Sequence, residues 1–301
     1  MDSDNLRGAL FMAISMAAFT LNDAMMKLAT AELPLFTAIF LRGILASVLI
    51  AALAWSQGAL TFRFSRGDRP FVALRTFAEA ATTVCFLTAL MHMPLANISA
   101  ILQSLPLAVT FAAALFLGEK VGWRRWSAIL IGFAGVMLIV RPGSEGFNIY
   151  AVLALVAVAF IVLRDMATRK LSPDVPSLSV ALLASLAVTA LGGVMSVGTP
   201  LPDLTLWSVG PLVLAALFLI AGYIFIILAM RVGDVAFVSP FRYTALVWAI
   251  GLGLLLFNEW PDAWTWAGSA IVVATGIFTF YREQSAARRA RFGARPSVAS
   301  R

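Results

Sequence analysis

The chain has 301 residues, of which 61% are hydrophobic and only 12% charged, with a mean hydropathy of +0.93. Soluble domains carry about a quarter charged residues, so a soluble globular protein is excluded and an integral membrane protein is the class that remains. The net charge of +7 raises nucleic acid as a partner, but the basic residues cluster at the ends of apolar runs, a topology signal, and no nucleic-acid role is expected.

A helix needs about 20 mostly apolar residues to cross a bilayer, and ten runs meet or approach that length. The first, 7–27, closes on Asn22, Asp23 and Lys27 and is expected to be retained, with no small-residue cleavage site after it. The second, 34–56, starts at Pro34 and holds Arg42. The third, 70–91, holds Arg75, Glu79 and Cys85, and the fourth, 95–117, holds Asn97, Ser99, Gln103 and Pro106. The fifth, 124–140, carries Gly132 and Gly135; the sixth, 147–165, ends on Arg164 and Asp165; the seventh, 177–198, is plain. Tyr223 lies in the eighth, 209–230. The ninth, 235–257, contains Ser239, Pro240, Arg242, Tyr243 and Trp248, and the tenth, 263–281, contains Gly268 and Gly276. The runs are too long and too uniform for barrel strands, so the expected fold is all-α with ten transmembrane helices. Trp207, Trp260, Trp264, Trp266 and Tyr281 fall at helix ends as an interfacial belt.

With the N-terminus placed in the cytoplasm, the cytoplasmic segments hold Arg7; Arg63, Arg66 and Arg69; Lys120, Arg124 and Arg125; Arg164, Arg169 and Lys170; Arg231; and six arginines after Tyr281. The opposite side holds only Lys27 and Arg141. That asymmetry predicts cytoplasmic N- and C-termini. The chain also repeats. Phe86 to Ser99 aligns with Ile226 to Ser239 at an offset of 140, which also pairs Glu119 with Glu259 and Trp126 with Trp266; Asp23 and Pro34 align with Asp165 and Pro176 at 142. Five helices per repeat force the second copy to enter from the opposite side, and the basic loop around Glu119 and Lys120 has lost its lysine and arginines at Glu259 to Asp262. The expected organisation is therefore two inverted-topology five-helix repeats, 1–142 and 143–282, followed by a basic cytoplasmic tail, 283–301. Inverted repeats place a substrate site near the midplane between the halves and point to a transporter.

Ionisable residues inside a membrane usually face a cavity or a partner. Glu79 is the candidate coupling carboxylate, or the receiver of a substrate ammonium, with Arg75 four residues earlier and Arg42 at a similar depth as candidate partners. Gln103 and Tyr243 occupy equivalent repeat positions near the midplane and are expected to line the pocket, with Arg242 available to receive a carboxylate. Asn97, Ser99 and Ser239 add hydrogen bonds, and Trp248 and Tyr223 could wall the cavity, which helices 1, 3, 4, 6, 8 and 9 are expected to form. Pro106 and Pro240 break two repeat-related helices and are candidate hinges. Asp23 and Asp165 could form gates with Lys27 and Arg169. The single cysteine, Cys85, and single histidine, His92, leave no metal cluster or disulfide framework, and no cofactor is expected.

The stretch Pro94 to Leu107, then Leu117-Gly118-Glu119-Lys120 and Trp126 to Ile139, resembles the fourth and fifth helices of EamA domains in the drug/metabolite transporter superfamily, including its amino-acid exporters. Asn22 to Lys27 and Pro34 to Gly43 resemble the first two helices. The resemblance spans about residues 7–281, and the second copy has Phe257-Asn258-Glu259 where Leu-Gly-Glu is usual. It implies a ten-helix secondary carrier for small organic solutes in a bacterial inner membrane. Phosphate-binding and zinc-protease patterns are absent from the sequence, so the expected role is not enzymatic and the driving energy is a gradient, protons being the candidate coupling ion. The expected cargo is an exported amino acid, since a buried arginine and a buried carboxylate suit a zwitterion. Uptake of a vitamin, nucleoside or sulfonium metabolite is the alternative, and a channel is the rival from another class.

Overall fold

The computed structural model describes residues 3–116, 118, 121–142, 148–200 and 204–293. Glu119 and Lys120 of the Leu-Gly-Glu turn, and the end of the basic tail from 294, lie outside them. The described residues form α1 (Ser3–Glu32), α2 (Leu35–Ser56), α3 (Arg69–His92), α4 (Leu95–Leu102), α5 (Leu105–Phe116), α6 (Trp123–Val140), α7 (Ile149–Arg169), α8 (Ser177–Ser196), α9 (Leu206–Val232), the short α10 (Val235–Val238), a 3-10 segment (Ser239–Tyr243), α11 (Thr244–Phe257) and α12 (Ala263–Gly293). Ten of the resulting segments are long and apolar enough to cross a membrane. The protein is an all-α, multi-pass membrane protein.

Proline punctuates the entries. Pro34, Pro94 and Pro176 each stand immediately before a helix in extended backbone, the conformation their fixed φ favours. One boundary differs from expectation: α12 runs on to Gly293, well into the basic tail, because Ala286, Ala287 and the arginines that follow are good helix formers with no breaker among them.

The fourth and ninth spans are interrupted at matching positions. α4 stops at Leu102 and α5 resumes at Leu105, with Pro106 in its first turn; in the ninth span the 3-10 segment carries Pro240 at its start and gives way to α11 at Thr244. Ser104 Oγ donates to the Ile101 carbonyl at 2.6 Å, and Thr244 Oγ1, 140 residues later, donates to the Phe241 carbonyl at 2.6 Å. Each proline lacks the N–H that would continue the helical ladder, and a hydroxyl bonded to the carbonyl three residues back adds a local contact beside each break.

The tightest helix pairings all run between the halves: α1 with α9, α2 with α8, α3 with α7, and α6 with α12, with α4 against α11. At the sequence offsets of 140–142, exchanging helices between the two copies maps the first four pairings onto themselves. At the α2–α8 crossing the residues brought together are themselves repeat mates, since Ser47 Oγ lies 3.4 Å from Thr189 Oγ1, at the offset of 142, and 2.9 Å from Ser185 Oγ. Small residues permit the approach: a Cβ on Gly192 would sit 2.8 Å from the Phe40 nitrogen and 3.0 Å from the Phe36 oxygen. Gly132 and Gly135 of α6 play the same part against α12, where Gly135 would crowd Ile271 and the Gly268 carbonyl.

Loops on one face are tied together. The Asp68 carboxylate accepts from Ser65 Oγ at 2.6 Å and from the Ser172 nitrogen and hydroxyl at 2.9 Å, linking the α2–α3 and α7–α8 connections. These donors hold the Asp68 carboxyl below the usual carboxylate range, with Ser65 the largest contributor.

Candidate functional site

A cavity of about 180 Å³ lies between the halves, walled by α1, α2, α3, α8 and α9. Its polar lining comes from Asn22, Asp23, Arg42, Arg75, Glu79, Thr82, Thr83, Ser185 and Tyr223, and its apolar wall includes Phe86, Leu87, Val188 and Leu219. α1 presents Asn22 along the same stripe that packs on α9, since Ser15, Phe19 and Asn22 recur at helical spacing; there the Ser15 hydroxyl donates to the Gly222 carbonyl at 2.8 Å and Phe19 meets Tyr223 edge to face at 5.5 Å.

Two charged systems face this space. In one, Arg42 Nη1 donates to Asn22 Oδ1 at 3.1 Å, and Asn22 Nδ2 donates to Asp23 Oδ1 at 2.9 Å. Asp23 thus sits within electrostatic reach of Arg42, with the Asn22 amide between them. In the other, Glu79 Oε2 accepts from Arg164 Nη1 at 3.4 Å, and Arg164 is also held by Asp165 at 2.9 Å. The expected partner on the same helix, Arg75, does not take Glu79: its Nε donates to Thr168 Oγ1 at 3.0 Å and its Nη1 to the Val180 carbonyl at 3.4 Å. Spacing along α3 predicts a neighbour, but α7 packs along that helix, with Phe77 and Phe160 in edge contact at 6.0 Å, and brings Arg164 to the carboxylate from across the interface.

Of the residues expected to line the pocket, Arg42, Glu79 and Tyr223 do, and the other expected residues lie elsewhere. α2 and α8 wall the cavity, whereas the fourth, sixth and ninth spans, expected to form it, do not. Asn97 Oδ1 accepts from Thr265 Oγ1 at 3.2 Å, tying α4 to α12, and Ser99 is buried in α4 packing. Gln103 Nε2 donates to the Arg242 carbonyl at 3.3 Å, so the two interrupted spans are joined at their breaks. The Tyr243 hydroxyl lodges where Gly276 of α12 lacks a side chain, which turns the ring away from the cavity. Ser239 is half-buried in the 3-10 segment and Trp248 is 44% exposed on the outside of α11. Arg242 is exposed and interacts across space with Asp165. The repeat offset carries no information on which way a side chain turns, least of all at a broken helix.

Asn22, Thr82 and Arg164 were not expected in the site. Asn22 is visible in sequence as part of the polar close of the first apolar run and of the family-like stretch, and Arg164 reads as a loop charge, one residue from the end of an apolar run. Thr82 gives no signal at all in sequence.

A third polar cluster seals the bundle at the α3–α4 turn. Lys27 Nζ donates to Glu259 Oε1 at 2.6 Å and to the Met93 carbonyl at 2.6 Å, and lies 4.9 Å over the Phe257 ring. Glu259 Oε2 accepts from the Leu95 nitrogen at 2.9 Å, capping α4. Arg141 pairs with Asp262 nearby. At the other end of the cavity, Arg75 also borders a second hollow of about 180 Å³ formed with Thr168, Ser172 and Ser177.

An all-α bundle of ten apolar spans around an internal cavity of mixed charge is the architecture of a membrane carrier class. The chain belongs to the EamA-like transporter family, which matches it twice, over residues 6–141 and 148–281. It is 31% identical to the riboflavin transporter of Vibrio cholerae, over 95% of this chain and 97% of that one. It is 28% identical to the pseudopaline exporter of Pseudomonas aeruginosa, over 90% and 94%, and 27% identical to the S-adenosylmethionine uptake transporter of Rickettsia conorii, over 94% and 96%. A solved crystal structure, 20% identical, shares the fold with a TM-score of 0.59 over 94% of this chain and 98% of its own.

Proposed function

We propose that this protein is a secondary carrier of the bacterial plasma membrane that moves small zwitterionic metabolites by alternating access, amino acids and their derivatives being the first class to test and export the expected direction. The observation that carries the reading is the cavity itself. It places arginines and carboxylates in one enclosed space, with Arg42 and Asp23 near one another and not in direct contact. A zwitterion inserted there would find a cation for its carboxylate and an anion for its ammonium, replacing the water it loses on entering.

In this reading both termini are cytoplasmic and the halves are inverted repeats, as the charge asymmetry and the self-exchanging helix pairings support. The cluster of Lys27 and Glu259 is then the closed outer seal. Arg75, shared between the cavity and the hollow beside Ser172, marks the route toward the cytoplasm. Glu79 is the proposed coupling group, because a proton on its carboxyl would release Arg164 to Asp165 alone.

A second reading, uptake of a vitamin or sulfonium metabolite, is favoured by the relatives whose names specify riboflavin and S-adenosylmethionine. A thermal-shift screen of purified protein against amino acids, riboflavin and S-adenosylmethionine separates the two. Stabilisation by amino acids supports the first reading, and stabilisation only by the other compounds replaces it with the second.

A further inference from the structure

Two buried polar atoms in the cavity have no hydrogen-bond partner, Nε of Arg42 and Oγ1 of Thr82. Neither is expected in a settled interior, since an unpaired buried donor costs roughly 1–3 kcal/mol. Many helical threonines here turn back on their own helix: Thr83, Thr88, Thr110 and Thr189 all donate to the carbonyl four residues earlier, at 2.7–2.9 Å, whereas Thr76 and Thr82 of α3 have no partner, and of these two only Thr82 lines the cavity. Thr82 stands next to Thr83 and is only 8% exposed. Arg42 is likewise half engaged. Its Nη1 is spent on Asn22, which leaves the Nε side of the guanidinium without a protein acceptor.

The geometry points to a carboxylate subsite formed by Arg42 Nε and Thr82 Oγ1, which receives the acid group of the transported solute. The inference deepens the carrier reading and rests on it. The side edge of a guanidinium offers parallel N–H groups that match a planar carboxylate, and a neighbouring hydroxyl can donate to the same group. Asn22 fixes the guanidinium so that this edge is presented without the entropy cost of ordering a free arginine.

The test uses full-length protein in lipid nanodiscs and three probe sets, built on L-leucine, L-methionine and L-phenylalanine, each with its carboxamide and its N-acetyl derivative. Binding is read by thermal shift and calorimetry. The expected result is that free acids bind and carboxamides do not, that Arg42→Gln abolishes binding, and that Thr82→Val weakens the acids about tenfold. Thr82→Val is close in shape to the native residue, so it keeps the test valid if Arg42→Gln fails to fold. Carboxamides binding as well as the acids, or Thr82→Val binding like the wild type, would overturn the subsite. If riboflavin or S-adenosylmethionine binds and is transported, with no effect of either substitution, the subsite falls and the carrier reading stands. If nothing binds and no flux is found for any of these compounds, both fall.

Discussion

At the scale of single residues, the cavity groups are partners first and recognition elements second. Glu79 is held by Arg164, and Arg164 keeps Asp165 when Glu79 is neutral, so Glu79→Gln should fold. We expect this variant to exchange substrate across a membrane but to lose the effect of an imposed pH gradient on flux. Proteoliposome uptake with and without the gradient checks this, and an unchanged response would remove Glu79 from coupling. Asp68, outside the spans, makes a separate prediction. Its carboxyl is held below the ordinary range in the folded protein, so its contribution is fully present above about pH 4. That contribution is lost as pH falls through the depressed value. Asp68→Asn should therefore lower Tm at neutral pH and narrow its gap to the wild type as the medium becomes acid; a gap constant across that range would contradict the assignment.

At the scale of elements, the ten spans were legible because hydropathy and proline placement act locally, and both helix interruptions were legible from Pro106 and Pro240. The site was only partly legible. Arg42 and Glu79 announced themselves as charges in apolar runs, whereas the turn of Tyr243 toward Gly276 and the approach of Arg164 to Glu79 depend on contacts between helices far apart in sequence. Close crossings give a direct check. A methyl on Gly192 would press on the backbone of α2, so Gly192→Ala should cost about 1–3 kcal/mol, read as a drop in Tm, while Gly210→Ala, with open space around it, should not. The seal gives another. A double-mutant cycle on Lys27→Met and Glu259→Gln should return a coupling of about 1–3 kcal/mol, and additive effects would mean that the two side chains do not stabilise each other.

For the whole molecule, the pairing of α1 with α9 and α3 with α7, and of α2 with α8 across the mates Ser47 and Thr189, gives each half the same set of contacts with the other. In the proposed carrier reading the halves exchange roles, and the cavity opens on the side of Lys27 and Glu259 while closing at its other end. The carrier account depends on that alternation, and counterflow tests it most directly. Proteoliposomes are loaded with an excess of an unlabelled ligand found in the screen, and entry of the labelled ligand is followed from outside. The account predicts a transient accumulation of label above its equilibrium level, saturable with external ligand; a monotonic rise to equilibrium that does not saturate would contradict it and mark a channel instead.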